Sequence, residues 1–170
     1  AEFADLVGMF VNTLALRNKP QGCKTFLEFL REVRDNALVA FDNSDYQFEE
    51  LVEALNIQRD LSRNPLFDVM FVMQNYNRQE FELEGLSIKE YRFKQKAAKF
   101  DIVLTAYEYN GALKFDMRYS TKTFRRSTMV LFSKHFVNLL NEVTGQPEIK
   151  LSDVSVLSLQ EKEQILHHFN

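Results

Sequence analysis

The period of the apolar positions changes several times along the chain. In VGMFVNTLALR, residues 7–17, Met9, Val11, Thr13 and Ala15 alternate with Phe10, Asn12, Leu14 and Leu16. Both sets are mostly apolar, which predicts a strand buried on both faces, with Asn12 the polar exception. Pro20 and Gly22 then break the pattern. From Thr25 the spacing becomes helical: Phe26, Leu30, Val33, Ala37 and Phe41 share one face, as an amphipathic helix requires. Thr25 and Glu28 stand three apart, the spacing of a capping box. Phe48, Leu51, Val52 and Leu55 predict a second, shorter helix near Gln47–Ile57.

Asn64 precedes Pro65 and is expected to be extended. LFDVMFVMQN, residues 66–75, reads as a strand that is apolar on both faces except at Asp68. A charged connection follows. LSIKEYRF, residues 86–93, reads as a strand whose apolar residues change face around Lys89-Glu90, as at a bulge or crossover. The clearest local signal is a hairpin: FDIVLTAYEY and ALKFDMRYS flank Asn110-Gly111, a dipeptide suited to positive φ at both turn positions. That turn pairs Tyr109 with Ala112, Ala106 with Phe115, Leu104 with Met117 and Ile102 with Tyr119. It puts Phe100, Ile102, Leu104 and Ala106 on the face of Leu113, Phe115 and Met117, and a slip of one residue destroys the match. A helix over about Phe124–Val143 carries Met129, Phe132, Phe136, Leu139, Leu140 and Val143, and Gly145 and Pro147 end it. The tail reads as a linker with a terminal helix at Leu159–His168. The order predicts an α/β fold, a mixed sheet with helices packed on it.

With 170 residues, 45% of them apolar and 16 of them Phe, the chain is one domain or a piece of one, with enough apolar matter for a core. The net charge of −3 gives no global pull toward nucleic acid or an anionic membrane. The single cysteine, Cys23, excludes an internal disulfide and a multi-cysteine metal site. No run approaches the roughly 18 apolar residues of a membrane helix, and no basic-then-apolar leader is present. The expected location is the cytoplasm, without membrane or nucleic-acid partners.

Candidate chemistry is sparse. His135 falls beside the apolar stripe of a helix and reads as structural, while His167 and His168 sit in the last four residues. None has an acidic neighbour in sequence placed for acid–base work. No metal-ligand spacing, glycine-rich phosphate loop or Gly-x-Ser-x-Gly appears. KEYRFKQKAAK, residues 89–99, interleaves basic and aromatic residues in the manner of a nucleic-acid surface, but Glu80, Glu82 and Glu84 just upstream favour a solvated strand and loop. RDLSRNPLF, residues 59–67, places Arg59 and Arg63 around Asp60 and Ser62 and directly before Asn64-Pro65. Arg59 suits a helix C-terminus and Asp60 a local cap. Equally, the cluster suits a site at a sheet edge, and the residues alone leave both readings open.

Three stretches together resemble successive motifs of the condensation domain of nonribosomal peptide synthetases: VGMFVNTLALR (7–17), DYQFEELVEAL (45–55) and RDLSRNPLFDVMF (59–71). Residues 99–120 and 132–143 look like the remainder of that domain. The second motif departs from the family's His-Gln-Asp-x-Pro-Phe-Glu, with Asn43, Ser44 and Gln47 in place of the His, Gln and Pro, while Phe48 and Glu49 match. The resemblance implies a chloramphenicol acetyltransferase-like half-domain over residues 1–148 and, over 149–170, a linker toward an adenylation domain. The family forms amide bonds between a donor acyl or peptidyl thioester and an acceptor aminoacyl thioester, both on phosphopantetheine arms of carrier proteins. Its catalytic His-His-x-x-x-Asp-Gly lies in the N-terminal lobe and is absent from this sequence.

By the same resemblance, Asn12 and Thr13 are candidates for contact with pantetheine in the inter-lobe cleft. Arg59, Asp60, Ser62, Arg63 and Asn64 are candidates for supporting that cleft, the arginines through bonds to Asp60 or Asp68. No catalytic residue, metal or directly bound cofactor is expected. The implied partners are the N-terminal lobe of the same domain, peptidyl carrier proteins and a downstream adenylation domain. The chain by itself is expected to be inert, and Tyr76–Lys99 to depart from the compact body. An epimerisation-type lobe and a plain interaction module remain alternatives; the adenylation-type linker favours condensation.

Overall fold

A computed structural model describes residues 7, 8, 11–58, 60, 63–74, 85 and 99–167. The chain divides into two compact units, Ala1–Asp60 with Lys134–Asn170, and Leu61–Ser133.

In the first unit, α1 (Phe26–Asp42) begins where the sequence places its cap. The Thr25 hydroxyl accepts the Glu28 N–H at 3.2 Å, and the Glu28 carboxylate accepts the Thr25 N–H at 2.8 Å. Each satisfies an amide that a helix N-terminus leaves unpaired. Asn43 closes the helix by donating from its side chain to the Val39 carbonyl at 2.8 Å. The short α2 (Phe48–Ala54) follows and buries Val52. Just before α1, Thr25 forms an antiparallel bridge with Lys150. Four backbone bonds join the two segments: Phe26 N to Ile149 O, Leu27 N to Pro147 O, Leu151 N to Lys24 O and Ser152 N to Gly22 O, at 2.8–3.1 Å. Gly22 permits this approach, since a β-carbon there would stand 3.3 Å from Ser152 Cβ.

The second unit is built on a sheet ordered β1 (Val69–Gln74), β2 (Ile102–Tyr109), β3 (Ala112–Tyr119). β1 pairs parallel to β2 from Val69↔Ile102 to Gln74↔Tyr107. β2 and β3 pair antiparallel in the register read from the sequence, from Ile102↔Tyr119 to Tyr109↔Ala112. Asn110 and Gly111 adopt φ of 53° and 70°, the left-handed pair that the two-residue turn needs. The helix α3 (Arg126–Gly145) begins in this unit and ends in the other. Ala106, on β2, and Met129, on α3, are 2% and 4% exposed. Ser133 on α3 lies against Met117 of β3, its Oγ 3.8 Å from Sδ. A fourth helix, α4, covers Leu159–His167.

The mixed α/β fold is as expected, but the burial differs. Residues 11–17 form no strand, and Val7, Val11 and Leu16 are exposed. Apolar alternation favours a strand only where a neighbouring backbone completes the ladder and both faces are covered. Here Asn12 turns its side chain to a loop instead. β1 is covered on one face only: Val69, Phe71 and Met73 are 58%, 61% and 46% exposed. On α1, Leu30 and Phe41 are exposed although they lie on the apolar stripe, as is Phe132 on α3 and Leu113 on β3. The expected strand at 86–93, the connection 77–85 except Gly85, and the basic stretch 89–99 except Lys99 lie outside the described residues, and with them the expected departure of Tyr76–Lys99 from the compact body; so do Arg59, Ser62 and His168.

Candidate functional site

The candidate residues fall in both units. Asn12, Thr13 and Asp60 belong to the first, Arg63 and Asn64 to the second. Asn12 is a clip. Its Nδ2 donates to the Ser44 carbonyl at 2.6 Å and the Tyr46 carbonyl at 3.4 Å, and its Oδ1 accepts the Thr13 N–H at 2.7 Å. Both amide hydrogens are thus used within the chain, so this side chain fixes the extended segment to the loop after α1. The Thr13 hydroxyl, half-buried, has no hydrogen bond of its own among the described residues.

Asn64 and Arg63 organise the entry to β1. Asn64 Oδ1 accepts the N–H groups of Leu66 and Phe67 at 3.1 and 3.3 Å. This local turn is characteristic of Asn before a Pro, because the fixed Pro65 ring presents the following amides back to the side chain. Arg63 Nη2 donates to Asp68 Oδ2 at 2.6 Å. The Asp68 carbonyl accepts Asp101 N and Ile102 N at 2.9 and 3.2 Å, which continues the ladder of the parallel pair. Phe67 and Phe100 stack beside it with ring centroids 5.4 Å apart. Asp60 is exposed.

One polar cluster was not legible in the sequence. His135 Nε2 lies 2.9 Å from Glu161 Oε1, and both side chains are 22% exposed. Glu161 Oε2 accepts the Ser158 N–H at 2.8 Å and the Ser158 hydroxyl at 2.7 Å. The Ser158 hydroxyl, the Ser158 amide and then His135 hold the Glu161 carboxyl down to about 2, because each bonds the charged form. The expectation that no histidine has a carboxylate partner is therefore corrected for His135. The partner is 26 residues away, so no local spacing announces it. Its chemistry is that of a helix cap, since all of the bonds are internal and serve α4.

Among the described residues no group of three or more His, Cys, Asp or Glu is placed to hold a metal ion. No described helix is long and apolar enough to cross a membrane.

Residues 1–166 match the condensation domain as a family. The chain belongs to the condensation-domain family. The condensation chain is 50% identical to tyrocidine synthase 3 of Brevibacillus parabrevis over 170 residues, which is all of this chain and 3% of that protein. It is 47% identical to gramicidin S synthase 2 of Brevibacillus brevis, over 99% of this chain and 4% of the relative, and 44% identical to bacitracin synthase 3 of Bacillus licheniformis, over 99% and 3%. It thus spans a few per cent of the length of these peptide-antibiotic synthetases. Its fold matches a solved four-domain nonribosomal peptide synthetase bound to AMP and glycine with a TM-score of 0.83 at 20% identity, over 95% of this chain and 13% of that one. It also matches an X-domain solved in complex with OxyB from teicoplanin biosynthesis, with a TM-score of 0.79 at 21% identity, over 92% and 35%. The mixed sheet with packed helices is accordingly the chloramphenicol acetyltransferase-like architecture of condensation-type domains.

Proposed function

We propose that residues 1–148 supply part of the C-terminal lobe of a domain that forms amide bonds in nonribosomal peptide synthesis, and that 149–170 lead toward an adenylation domain. The observation that carries this reading is the family match over residues 1–166 combined with about 50% identity to a peptide-antibiotic synthetase. The substrates are an acyl or peptidyl thioester and an aminoacyl thioester on the phosphopantetheine arms of carrier proteins, in the cytoplasm. Thr13, whose hydroxyl has no bond among the described residues, is the better candidate for contact with a pantetheine amide. Asn12 serves by holding that segment in place, its own amide hydrogens being spent on Ser44 and Tyr46. Arg63 and Asn64 hold the entry to β1, and Arg59, Asp60 and Ser62 stay with them as candidates for supporting the cleft.

The amine must lose a proton as it attacks, and the developing oxyanion must be stabilised. The three histidines of this sequence are not assigned that work: His135 is engaged in a helix cap, and His167-His168 fall in the segment read as a linker. The N-terminal lobe supplies it and forms the second wall of the cleft. Aligning two bound thioesters between two walls is worth about 7–11 kcal/mol of barrier. The exposed apolar row Val69, Phe71 and Met73 supports the view that further parts of the domain pack here, since contiguous exposed apolar residues usually mark an interface.

The experiment is a mixture of loaded donor and acceptor carrier proteins with the intact synthetase, with the 170-residue chain, or with this chain plus the N-terminal lobe in trans. Dipeptidyl product with the intact protein, none with the chain alone and some on complementation is the expected result. Product from the chain alone, persisting after His135, His167 and His168 are replaced by Ala, overturns it. A plain interaction role, which the fold shared with an X-domain solved together with OxyB brings to mind, is the reading left if the intact protein makes no product while still binding carrier proteins.

A further inference from the structure

We propose that the C-terminal segment is a strap in two parts: residues 147–152 are a fixed anchor, and α4 is a releasable end whose docking on α3 and whose helical folding are coupled through the Glu161 carboxylate. The inference concerns the first unit alone and stands whether or not the catalytic reading does.

The two parts are held by different kinds of bond. The anchor is fastened by the four backbone bonds to residues 22–27, which no side-chain substitution removes. Beyond Asp153, attachment passes, among the described residues, to three side chains of α3. Glu142 accepts the Ser155 N–H at 2.7 Å, Asn138 donates to the Val156 carbonyl at 3.1 Å, and His135 meets Glu161 at 2.9 Å. Positions 135, 138 and 142 lie on one helix face by their spacing of three and four, so α3 presents a single rail of polar groups to the strap.

α4 has nine residues, below the roughly 12–15 at which a helix persists unaided in water. Apolar packing does little for it, because Leu159, Ile165 and Leu166 are 81%, 47% and 61% exposed. Its folding therefore leans on its N-terminal cap. Ser158 Oγ accepts the Glu161 N–H at 3.2 Å, and Glu161 returns the bond to the Ser158 N–H. One oxygen of that carboxylate closes the cap while the other meets His135. The His135 contact thus fixes the rotamer that capping requires, and capping fixes the one that docking requires. Loss of either bond weakens both, and α4 undocks and unravels together while the anchor stays.

Hydrogen exchange read by mass spectrometry on the intact protein that carries this chain tests the coupling. His135→Ala and Glu161→Gln are each expected to speed exchange of the amides of residues 162–166 by about tenfold, the effect of losing one charge-assisted bond. The peptides covering 24–27 and 149–152 are expected to keep their protection. Unchanged exchange in α4 for both variants overturns the proposal. Acceleration by Glu161→Gln alone also overturns it, because capping would then be independent of docking. Equal acceleration in the anchor peptides overturns the division into two parts.

Discussion

Arg63→Ala removes the ion pair that ties the approach of β1 to its first residues. Reading Arg63 as the partner of a buried group leads to a cost of about 1–3 kcal/mol, the penalty for an unsatisfied buried acceptor. The geometry lowers that figure. The bond is short, 2.6 Å, but the Arg63 and Asp68 side chains are 62% and 36% exposed. Water therefore solvates Asp68 once the guanidinium is gone, and exposed pairs contribute about 0.2–1 kcal/mol. The single well-made bond puts the expected loss at the upper part of that range, about 0.5–1 kcal/mol. With a urea slope of about 2 kcal/mol/M, the unfolding midpoint falls by about 0.2–0.5 M. Urea titrations of wild type, Arg63→Ala, Asp68→Ala and the double variant close a cycle that isolates the pair. The coupling should match the single loss and shrink in about 1 M salt, where the screening length is near 3 Å. A loss of about 2–3 kcal/mol would show that Arg63 satisfies a buried group after all. A coupling of zero would show that the bond contributes nothing and that β1 is seated by other means.

Asn64→Ala leaves the half-buried amides of Leu66 and Phe67 without their acceptor and should cost about 1–2 kcal/mol, with Asn64→Asp recovering most of it; equal stability of all three proteins in urea would refute the turn's role. Ala106→Leu forces three carbons into a position 2% exposed and paired with Met73 and Phe115. It should cost about 1–3 kcal/mol by overpacking, and a neutral result would reveal a void beside β2. The Glu161 carboxyl is depressed from 4.5 to about 2, so its contribution to α4 is complete above pH 4.5 and is lost as pH falls from 4.5 toward 2. His135 faces it from α3, while Lys162 and Glu163 adjoin it in sequence. Carbon-detected NMR of the Glu161 carboxyl should titrate near 2 and move upward in Ser158→Ala; a midpoint near 4.5 in wild type would contradict the cap.

What was legible in the sequence was what neighbouring residues decide between themselves. Thr25 and Glu28 are three apart and cap α1 as that spacing demands. Asn110-Gly111 sets the turn, and the turn sets the pairing of β2 with β3 residue by residue. Burial is a different kind of quantity, because it depends on what stands opposite. The alternation in 7–17 and in β1 describes two apolar faces, yet Val11 is 83% and Phe71 61% exposed, since apolar character alone does not supply a covering layer. Of the candidate residues, Asn64 was read from the Pro that follows it only as extended backbone, and the turn its side chain makes with Leu66 and Phe67 went unread although it is local. The dual engagement of Asn12 with Ser44 and Tyr46, 32 and 34 residues on, and the pairing of His135 with Glu161 arise from tertiary approach and leave no periodic trace.

The bridge between Thr25 and Lys150 also has a history in time. Four of the backbone bonds of Gly22–Leu27 wait for Pro147–Ser152, about 120 residues later, and at about 5–20 residues per second a ribosome needs about 6–24 seconds to make them. The β2–β3 hairpin needs no such wait, as hairpins close in about 1–10 μs once their residues emerge. The sheet is thus complete in sequence while the N-terminal end of α1 still lacks its clamp. A pause in elongation anywhere between residues 27 and 147 prolongs the life of that open end.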